Sequence, residues 1–267
     1  MNFIDAILLG ILQGATEFLP VSSSGHLALA QNLLDDFTQP GLLFDVLLHV
    51  GTMVAVIAYF WKDLLGLLTS PWRRDDTGRV QRRMLALIVL GSIPTALIGL
   101  SFKDLFEGLF DRPMIVCLML LVTGSLLIVA ERFRSIRRTQ EQMTWKDAVV
   151  VGIVQGLAII PGISRSGSTI ATLLMRGIDG ETAARFSFLL ALPAVFGAAL
   201  LSLKDLDQVT REVIPAYLAG TGAALLTGLL CIHFLMGIIR RRRLSWFAFY
   251  CWGAGTAGLV FFSSAGL

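Results

Sequence analysis

Apolar residues dominate this chain in long unbroken runs rather than in amphipathic stripes. Six runs are long enough, or nearly so, to cross a hydrocarbon core about 30 Å thick. They cover 44–61, 84–102, 114–130, 186–203, 214–239 and 246–262. Two further apolar regions, 3–34 and 147–185, behave differently. Each opens as a helical pattern and then breaks on clustered polar side chains: EFLPVSSSGHL at 17–27 and PGISRSGSTI at 161–170. The pattern predicts an all-α integral membrane protein with six spans and two interrupted segments.

Basic residues orient the spans. Connections 61–83, 103–112, 131–146, 204–214 and 239–245 carry six, two, five, two and four Lys or Arg. Positive loops stay inside, so the first, third and fifth are cytoplasmic. No Lys or Arg precedes Lys62, which places the N-terminus outside and argues against a cleavable signal with its basic n-region. An odd number of crossings must separate the inside loop 131–146 from the outside loop 204–214, and 186–203 supplies one. The apolar pieces of region 147–185, at 148–160 and 169–175, are too short for two more spans, so it reads as a re-entrant hairpin from the cytoplasmic side. By the same logic, 3–34 is a re-entrant hairpin from the external side. Irregular backbone at membrane depth is tolerated only where it is buried in protein or lines a wet cavity.

The composition agrees with a membrane domain: 55% apolar and 15% charged residues, against about 25% charged in soluble domains. Cys117, Cys231 and Cys251 sit isolated in apolar runs and read as packing residues. The run RRRR at 240–243 reads as an inside anchor on anionic lipid.

Sliding the chain against itself by 142 residues, without a gap, superposes the two breaks. Asp5-Ala6 meets Asp147-Ala148, Gln13-Gly14 meets Gln155-Gly156, and Ser22, Ser24 and Gly25 meet Ser164, Ser166 and Gly167; Phe44 and Lys62-Asp63-Leu64 meet Phe186 and Lys204-Asp205-Leu206. The chain therefore reads as one membrane domain, 1–267, built from repeat one (about 3–132) and repeat two (about 145–267). Each repeat has one hairpin and three spans. Three is odd, so the second repeat is inverted. Inverted-repeat proteins place their sites at the midplane, where broken helices meet. The half-helices after SSSG and SRSG would aim their N-termini at one another, a ready anion site.

The first break supplies Gln13, Glu17, Ser22, Ser23, Ser24 and His26. Gln13 and Glu17 lie four apart on one helical face, and Pro20 ends that helix. Serines cap helices, but three exceed what a cap needs, and an ionisable residue at membrane depth is a functional candidate by default. The second break supplies Ser164, Ser166, Ser168, Thr169 and Arg165, the only basic residue between Lys146 and Arg176. A guanidinium suits phosphate oxygens. Arg165 is equally suited to pair with Glu17, and the two readings are compatible. One fixed cation, many hydroxyl and backbone donors, and a Glu with a His point to phosphate handling by an acid/base pair. His49 and His233 read as structural histidines, and Asp45 as either a site neighbour or an interfacial residue. No HExxH, CxxC or Walker A motif occurs, so the metal ligands are unknown and an ATP-driven pump is not indicated.

Segments 13–27 and 161–170, with FSFLLALP at 186–193, resemble the signature segments of the bacterial undecaprenyl-diphosphate phosphatase family, the BacA-type bacitracin-resistance proteins, and the resemblance extends over nearly the whole chain. It implies a bundle of interlocked inverted repeats in the bacterial cytoplasmic membrane. It also implies hydrolysis of undecaprenyl diphosphate to the monophosphate and inorganic phosphate, which recycles the lipid carrier for cell-wall polymers and confers bacitracin resistance. The implied catalytic residues are Glu17, Ser23, His26 and Arg165. Gln13, Ser22, Ser24, Ser164, Ser166 and Thr169 would bind phosphate. The implied cofactor is a divalent cation, Mg²⁺ or Ca²⁺. Expected partners are the polyprenyl diphosphate and membrane lipids, with no nucleic acid; a homodimer is compatible with the sequence. The family commonly has Glu or Gln four residues before the retained Glu. Here it is Gln13, which leaves the carboxylate chemistry to Glu17. By the match Ser23 attacks phosphorus while Glu17 or His26 takes its proton; attack by His26 or by an activated water stays open. SSSGH is also similar to the PSGH segment of acid-phosphatase-like lipid phosphatases, but the His that class needs six residues after Arg165 is Ala171 here. The rival from another class is a transporter or flippase of a lipid phosphate using the same crevice. External polymerisation would leave its substrate outside, so the crevice is expected to open externally.

Overall fold

The computed structural model describes residues 3–33, 43–132, 138–202, 211–240 and 243–265. Lys204-Asp205-Leu206 of the repeat and the middle two arginines of RRRR fall outside them. Twelve α-helices carry the described chain: α1 Phe3–Phe18, α2 Ser23–Gln31, α3 Leu43–Tyr59, α4 Trp61–Thr69, α5 Asp76–Ser101, α6 Lys103–Phe110, α7 Pro113–Arg132, α8 Trp145–Leu157, α9 Arg165–Met175, α10 Gly180–Ser202, α11 Ile214–Arg240 and α12 Ser245–Ala265. Helices α5, α7, α10 and α11 are long and apolar enough to cross a membrane, and the bent pair α3–α4 makes a fifth candidate. The chain is an all-helical, multi-pass membrane protein.

Each of the six apolar runs becomes a helix, with shifted ends. The first run stops at Tyr59, where the chain bends by 77°. Trp61 instead opens α4, an amphipathic helix whose Trp61, Leu65 and Leu68 are exposed while Asp63 accepts from Arg185 of α10 at 3.1 Å. Helix α5 starts eight residues before its apolar run because Asp75 Oδ1 caps it, accepting from the Gly78 amide at 2.9 Å. Helix α10 likewise starts at Gly180, where Asp179 Oδ1 accepts from the Thr182 amide at 3.0 Å.

Leu97, Leu226, Leu230 and Val260 are each more than 60% exposed. An apolar girdle of this kind faces acyl chains rather than water. Inside lipid there is little hydrophobic drive between helices, so close packing of small residues holds them together. Helix α1 lies along α11, where Gly10 faces the Gly220 carbonyl and Gly14 faces the Ala224 carbonyl. Helix α8 lies along α5, where Gly152 faces the Gly91 carbonyl and Gly156 faces Ile98. A Cβ at any of the four would overlap its neighbour, so only glycine allows either approach. Thr95 adds a hydrogen bond across the second seam, from its hydroxyl to the Gly152 carbonyl at 2.8 Å.

The broken helices are anchored in this frame. Phe18, at the end of α1, packs edge-on against Phe188 of α10, with ring centroids 5.5 Å apart, and Phe60 covers the same ring. At the start of α8, fully buried Asp147 accepts from Arg138 at 2.8 Å, from Arg176 at 2.5 Å and from the Thr144 amide at 2.7 Å. That one carboxylate ties both ends of the α8–α9 hairpin to the preceding loop. Nine of the eleven residues of α9 are buried, so this half-helix is enclosed by protein.

Candidate active site

Helix α1 ends at Phe18, just before Pro20, and Val21 turns back to donate to the Leu19 carbonyl at 2.8 Å. Ser22 then adopts φ +70°, the only non-glycine residue with positive φ among those described. Such a conformation costs roughly 1–3 kcal/mol and persists only where its surroundings impose it. Here it turns the chain into α2 while the Ser22 hydroxyl accepts from the Gly25 amide at 3.3 Å. The second break repeats the solution with glycine, Gly162 at φ +94°, followed by Ser164, whose hydroxyl caps the Gly167 amide at 3.0 Å. The half-helices therefore begin inside the SSSG and SRSG motifs, at Ser23 and Arg165, and not after them: the first serine of each motif is the cap, so the second residue is already helical.

The two breaks touch. A Cβ on Gly25 would meet Gly162, and one on Gly167 would meet Pro20. The Ser166 hydroxyl donates to the Leu19 carbonyl at 3.2 Å, which pins the second break to the first.

Glu17 is the centre of the polar set. It is 7% exposed, and both its oxygens are engaged. Oε2 accepts from Gln13 Nε2 at 2.9 Å and from the Ser23 hydroxyl at 2.5 Å. Oε1 accepts from the Arg165 guanidinium, which closes the pairing anticipated between the breaks. The other terminal nitrogen of Arg165, NH1, is buried with no hydrogen-bond partner among the described residues, as are Gln13 Oε1 and Ser168 Oγ. Buried polar atoms are normally satisfied, so this cluster of open donors and acceptors marks ligand-facing ground.

His26 lies one turn into α2. Its Nδ1 is 2.8 Å from the Ser22 carbonyl and its Nε2 is 2.8 Å from the Tyr250 hydroxyl of α12. The carbonyl can only accept, so Nδ1 carries the proton and Nε2 accepts from Tyr250. Ser22 and Ser24 hydroxyls lie 3.4 Å apart, and those of Ser164 and Ser166 lie 3.3 Å apart. Thr169 points elsewhere: its hydroxyl is shared among the Arg165 carbonyl at 2.8 Å, the Ser166 carbonyl and Ser187 at 2.5 Å.

Sequence reasoning passed over two residues. His49 of α3, read as structural, has Nε2 3.4 Å from Glu17 Oε2. Its signal was an ionisable pair, Asp45 and His49, four apart at membrane depth. Tyr250 had no signal, because only the fold brings α12 over His26. Asp45 is buried and accepts from Gln31 at 2.5 Å. His233 pairs with Tyr59 at 3.4 Å.

Glu17 is the carboxylate at the meeting of the breaks, so a divalent cation there would rest mainly on substrate phosphates, as Mg²⁺ commonly does. Among the described residues no three His, Cys, Asp or Glu side chains converge, and the one central carboxylate already accepts at both oxygens. What the arrangement offers is a hydroxyl on a carboxylate, a buried guanidinium with a free donor, and two helix N-termini.

The sequence matches the bacitracin resistance protein BacA family over residues 6–257. It is 56% identical over 255 residues to an undecaprenyl-diphosphatase of Syntrophotalea carbinolica, covering 96% of this chain and 97% of that one. An undecaprenyl-diphosphatase of Carboxydothermus hydrogenoformans is 43% identical over 264 residues, 97% of each chain. One from Halothermothrix orenii is 44% identical over 260 residues, 96% of each. A match of this length, over a chain whose two broken helices converge on Glu17, leaves one assignment: the chain belongs to the BacA bacitracin resistance family.

Proposed function

We propose that the chain is an undecaprenyl-diphosphatase, releasing inorganic phosphate from undecaprenyl diphosphate and returning the monophosphate to cell-wall polymer assembly. The observation that carries this reading is the Ser23 hydroxyl donating to Glu17 at 2.5 Å, with Arg165 on the other carboxylate oxygen. A nucleophile bonded to its base and flanked by a cation is the arrangement phosphoryl transfer needs.

In the proposed step Ser23 gives its proton to Glu17 and its Oγ bonds the terminal phosphorus. The bridging P–O bond breaks, and undecaprenyl phosphate leaves. Water then cleaves the phosphoserine, its oxygen bonding phosphorus as Oγ departs and regains a proton. Arg165 meets charge on the transferring oxygens with its free NH1, where electrostatic stabilisation contributes most of the rate. Ser24, Ser168 and the amides at the two half-helix starts extend that cradle, with Ser22 and Ser164 holding those starts as caps. Ser166 fastens the breaks, Gln13 orients Glu17, and Thr169 supports α9 from below. Glu17, not His26, touches Ser23, which favours Glu17 as the base of the first step. The implied divalent cation has no protein cage here, and no step is routed through one.

The same reading takes the fold as six spans in two inverted repeats, 3–132 and 145–267, in the bacterial cytoplasmic membrane. Support comes from the exchanged seams: the hairpin helix of each repeat, α1 or α8, rests on a long helix of the other, α11 or α5. The distribution of basic loops supports an external N-terminus, and a substrate left by external polymerisation supports a crevice that opens on the same side. A flippase would need no nucleophile, and the relatives are named as diphosphatases.

Phosphate release from undecaprenyl diphosphate by purified protein in detergent tests the function. Glu17→Gln should abolish it. No release by the wild type, with or without added Mg²⁺ or Ca²⁺, would return the crevice to a transport role; equal release by the variant would take Glu17 out of the chemistry.

A further inference from the structure

The ring of His49 is held between two acceptors. Nδ1 lies 2.8 Å from the Asp45 backbone carbonyl, which can only accept, so Nδ1 carries a proton. Nε2 lies 3.4 Å from Oε2 of Glu17. A neutral ring with its proton on Nδ1 would turn the Nε2 lone pair towards a carboxylate, acceptor against acceptor. Glu17 itself already accepts from Gln13, Ser23 and Arg165, the environment of an ionised carboxylate. With a proton on each nitrogen, the ring would donate to the Asp45 carbonyl and face the Glu17 carboxylate as a cation.

The charges around it are few. Glu17 faces it from α1, and Arg165 of α9 holds the opposite oxygen of the same carboxylate. On its own helix Asp45 is one turn earlier, with a carboxylate oxygen bonded to Gln31 of α2 and Tyr217 of α11 beside it. On α10 the charged residues Glu181 and Arg185 pair with each other and with Asp63 of α4. His233 of α11 pairs with Tyr59, three turns away along α3. The His49 side chain is 26% exposed.

We propose that His49 is a positioning residue of the hydrolysis: as an imidazolium it holds Glu17 from the side opposite Arg165, keeping the carboxylate ionised and aimed at Ser23. The inference rests on the reading of Glu17 as the base. When Ser23 Oγ–H breaks and Glu17 takes the proton, His49 keeps its own. The neutralised carboxyl then leaves two cations facing the incoming phosphoryl group. His49 acts through Glu17 and forms no bond to phosphorus.

The test follows phosphate release across pH for wild type, His49→Gln, His49→Leu and Glu17→Gln, with ¹⁵N spectra of histidine-labelled protein. A Leu removes donor and charge, and His49→Leu should lower kcat by about a hundredfold with KM little changed, the scale of a misplaced catalytic group. His49→Gln restores a donor without the charge and should recover most of kcat, with a pH profile that differs from the wild type's. The spectra should show both His49 nitrogens protonated at neutral pH. Wild-type kcat and pH profile in His49→Leu would overturn the proposal. So would a neutral His49 ring, or a His49→Gln variant that melts like wild type yet is as slow as His49→Leu. If His49→Leu does not fold, the Gln profile and the spectra decide. Activity in Glu17→Gln sinks the base reading itself; an inactive Glu17→Gln beside an unaffected His49→Leu sinks this inference alone.

Discussion

Ser23 and Arg165 stand 142 positions apart, at the same place in two half-helices, and grip opposite oxygens of one carboxylate, Glu17. Each is the first residue after a capping serine. A duplicated backbone frame thus carries two different chemistries at its equivalent position, a hydroxyl in one half and a guanidinium in the other. Neither half could assemble the site by itself.

Arg165→Ala should cut phosphate release by at least two powers of ten, about the effect of deleting one oxyanion donor. Arg165→Lys should recover little, since an ammonium cannot hold Glu17 and present a second fixed donor together. Initial rates at saturating lipid diphosphate check both, and a Lys variant at wild-type rate would mean that charge alone suffices.

Ser23→Ala should also fall by roughly two or more powers of ten, in line with losing an activated nucleophile. Its Glu17 keeps Gln13 and Arg165, so the loss should appear without a drop in melting temperature. Turnover near the wild-type rate would exclude the serine nucleophile and leave attack to water or His26. Acid-quenched protein should carry phosphate on Ser23 in the wild type only.

Gly152→Ala places a methyl against the Gly91 carbonyl, forcing α8 off α5. Overpacking of this kind costs about 1–3 kcal/mol, and the melting temperature in detergent should drop accordingly. Gly197→Ala, on α10 with open space around it, is the matched control and should melt like wild type. Equal melting of the two variants would show that the seam tolerates separation.

Asp147→Asn leaves Arg138 and Arg176 facing a neutral amide. Breaking a buried pair costs about 3–5 kcal/mol. Both arginine side chains are a quarter to a third exposed, so solvent screening brings the expected loss to about 1–2 kcal/mol. Thermal unfolding should fall while the kcat of the folded fraction holds. A fall in kcat instead would link this anchor to the site.

How much of this was legible beforehand divides along physical lines. All six long helices, both breaks and the partners of Glu17 at Gln13 and Arg165 follow from local signals: uninterrupted hydropathy, Pro20, and charge where lipid forbids it. The start of α5 at Asp76 and of α10 at Gly180 escaped a hydropathy reading because capping carboxylates, not apolar residues, set those ends. Starting the half-helices after the motifs missed that Ser22 and Ser164 are caps. His49 and Tyr250 reach the site from helices remote in sequence, and only packing reveals such contacts. Thr169 shows the converse: its place in the motif suggested a ligand, whereas its hydroxyl is spent on α9 and Ser187.

The crossed seams also bear on how the protein is made. Helix α1 rests on α11, and Tyr250 of α12 is the residue that meets His26. A ribosome releases α1 and α2 into the bilayer long before either partner exists. Until the last two helices arrive, α1 lacks the helix it packs on and His26 lacks Tyr250. Expression as two separate fragments, cut between 133 and 144, should therefore give no activity from either piece and activity when both share a membrane. Catalytic competence in this design is the last event of biogenesis, not an early one.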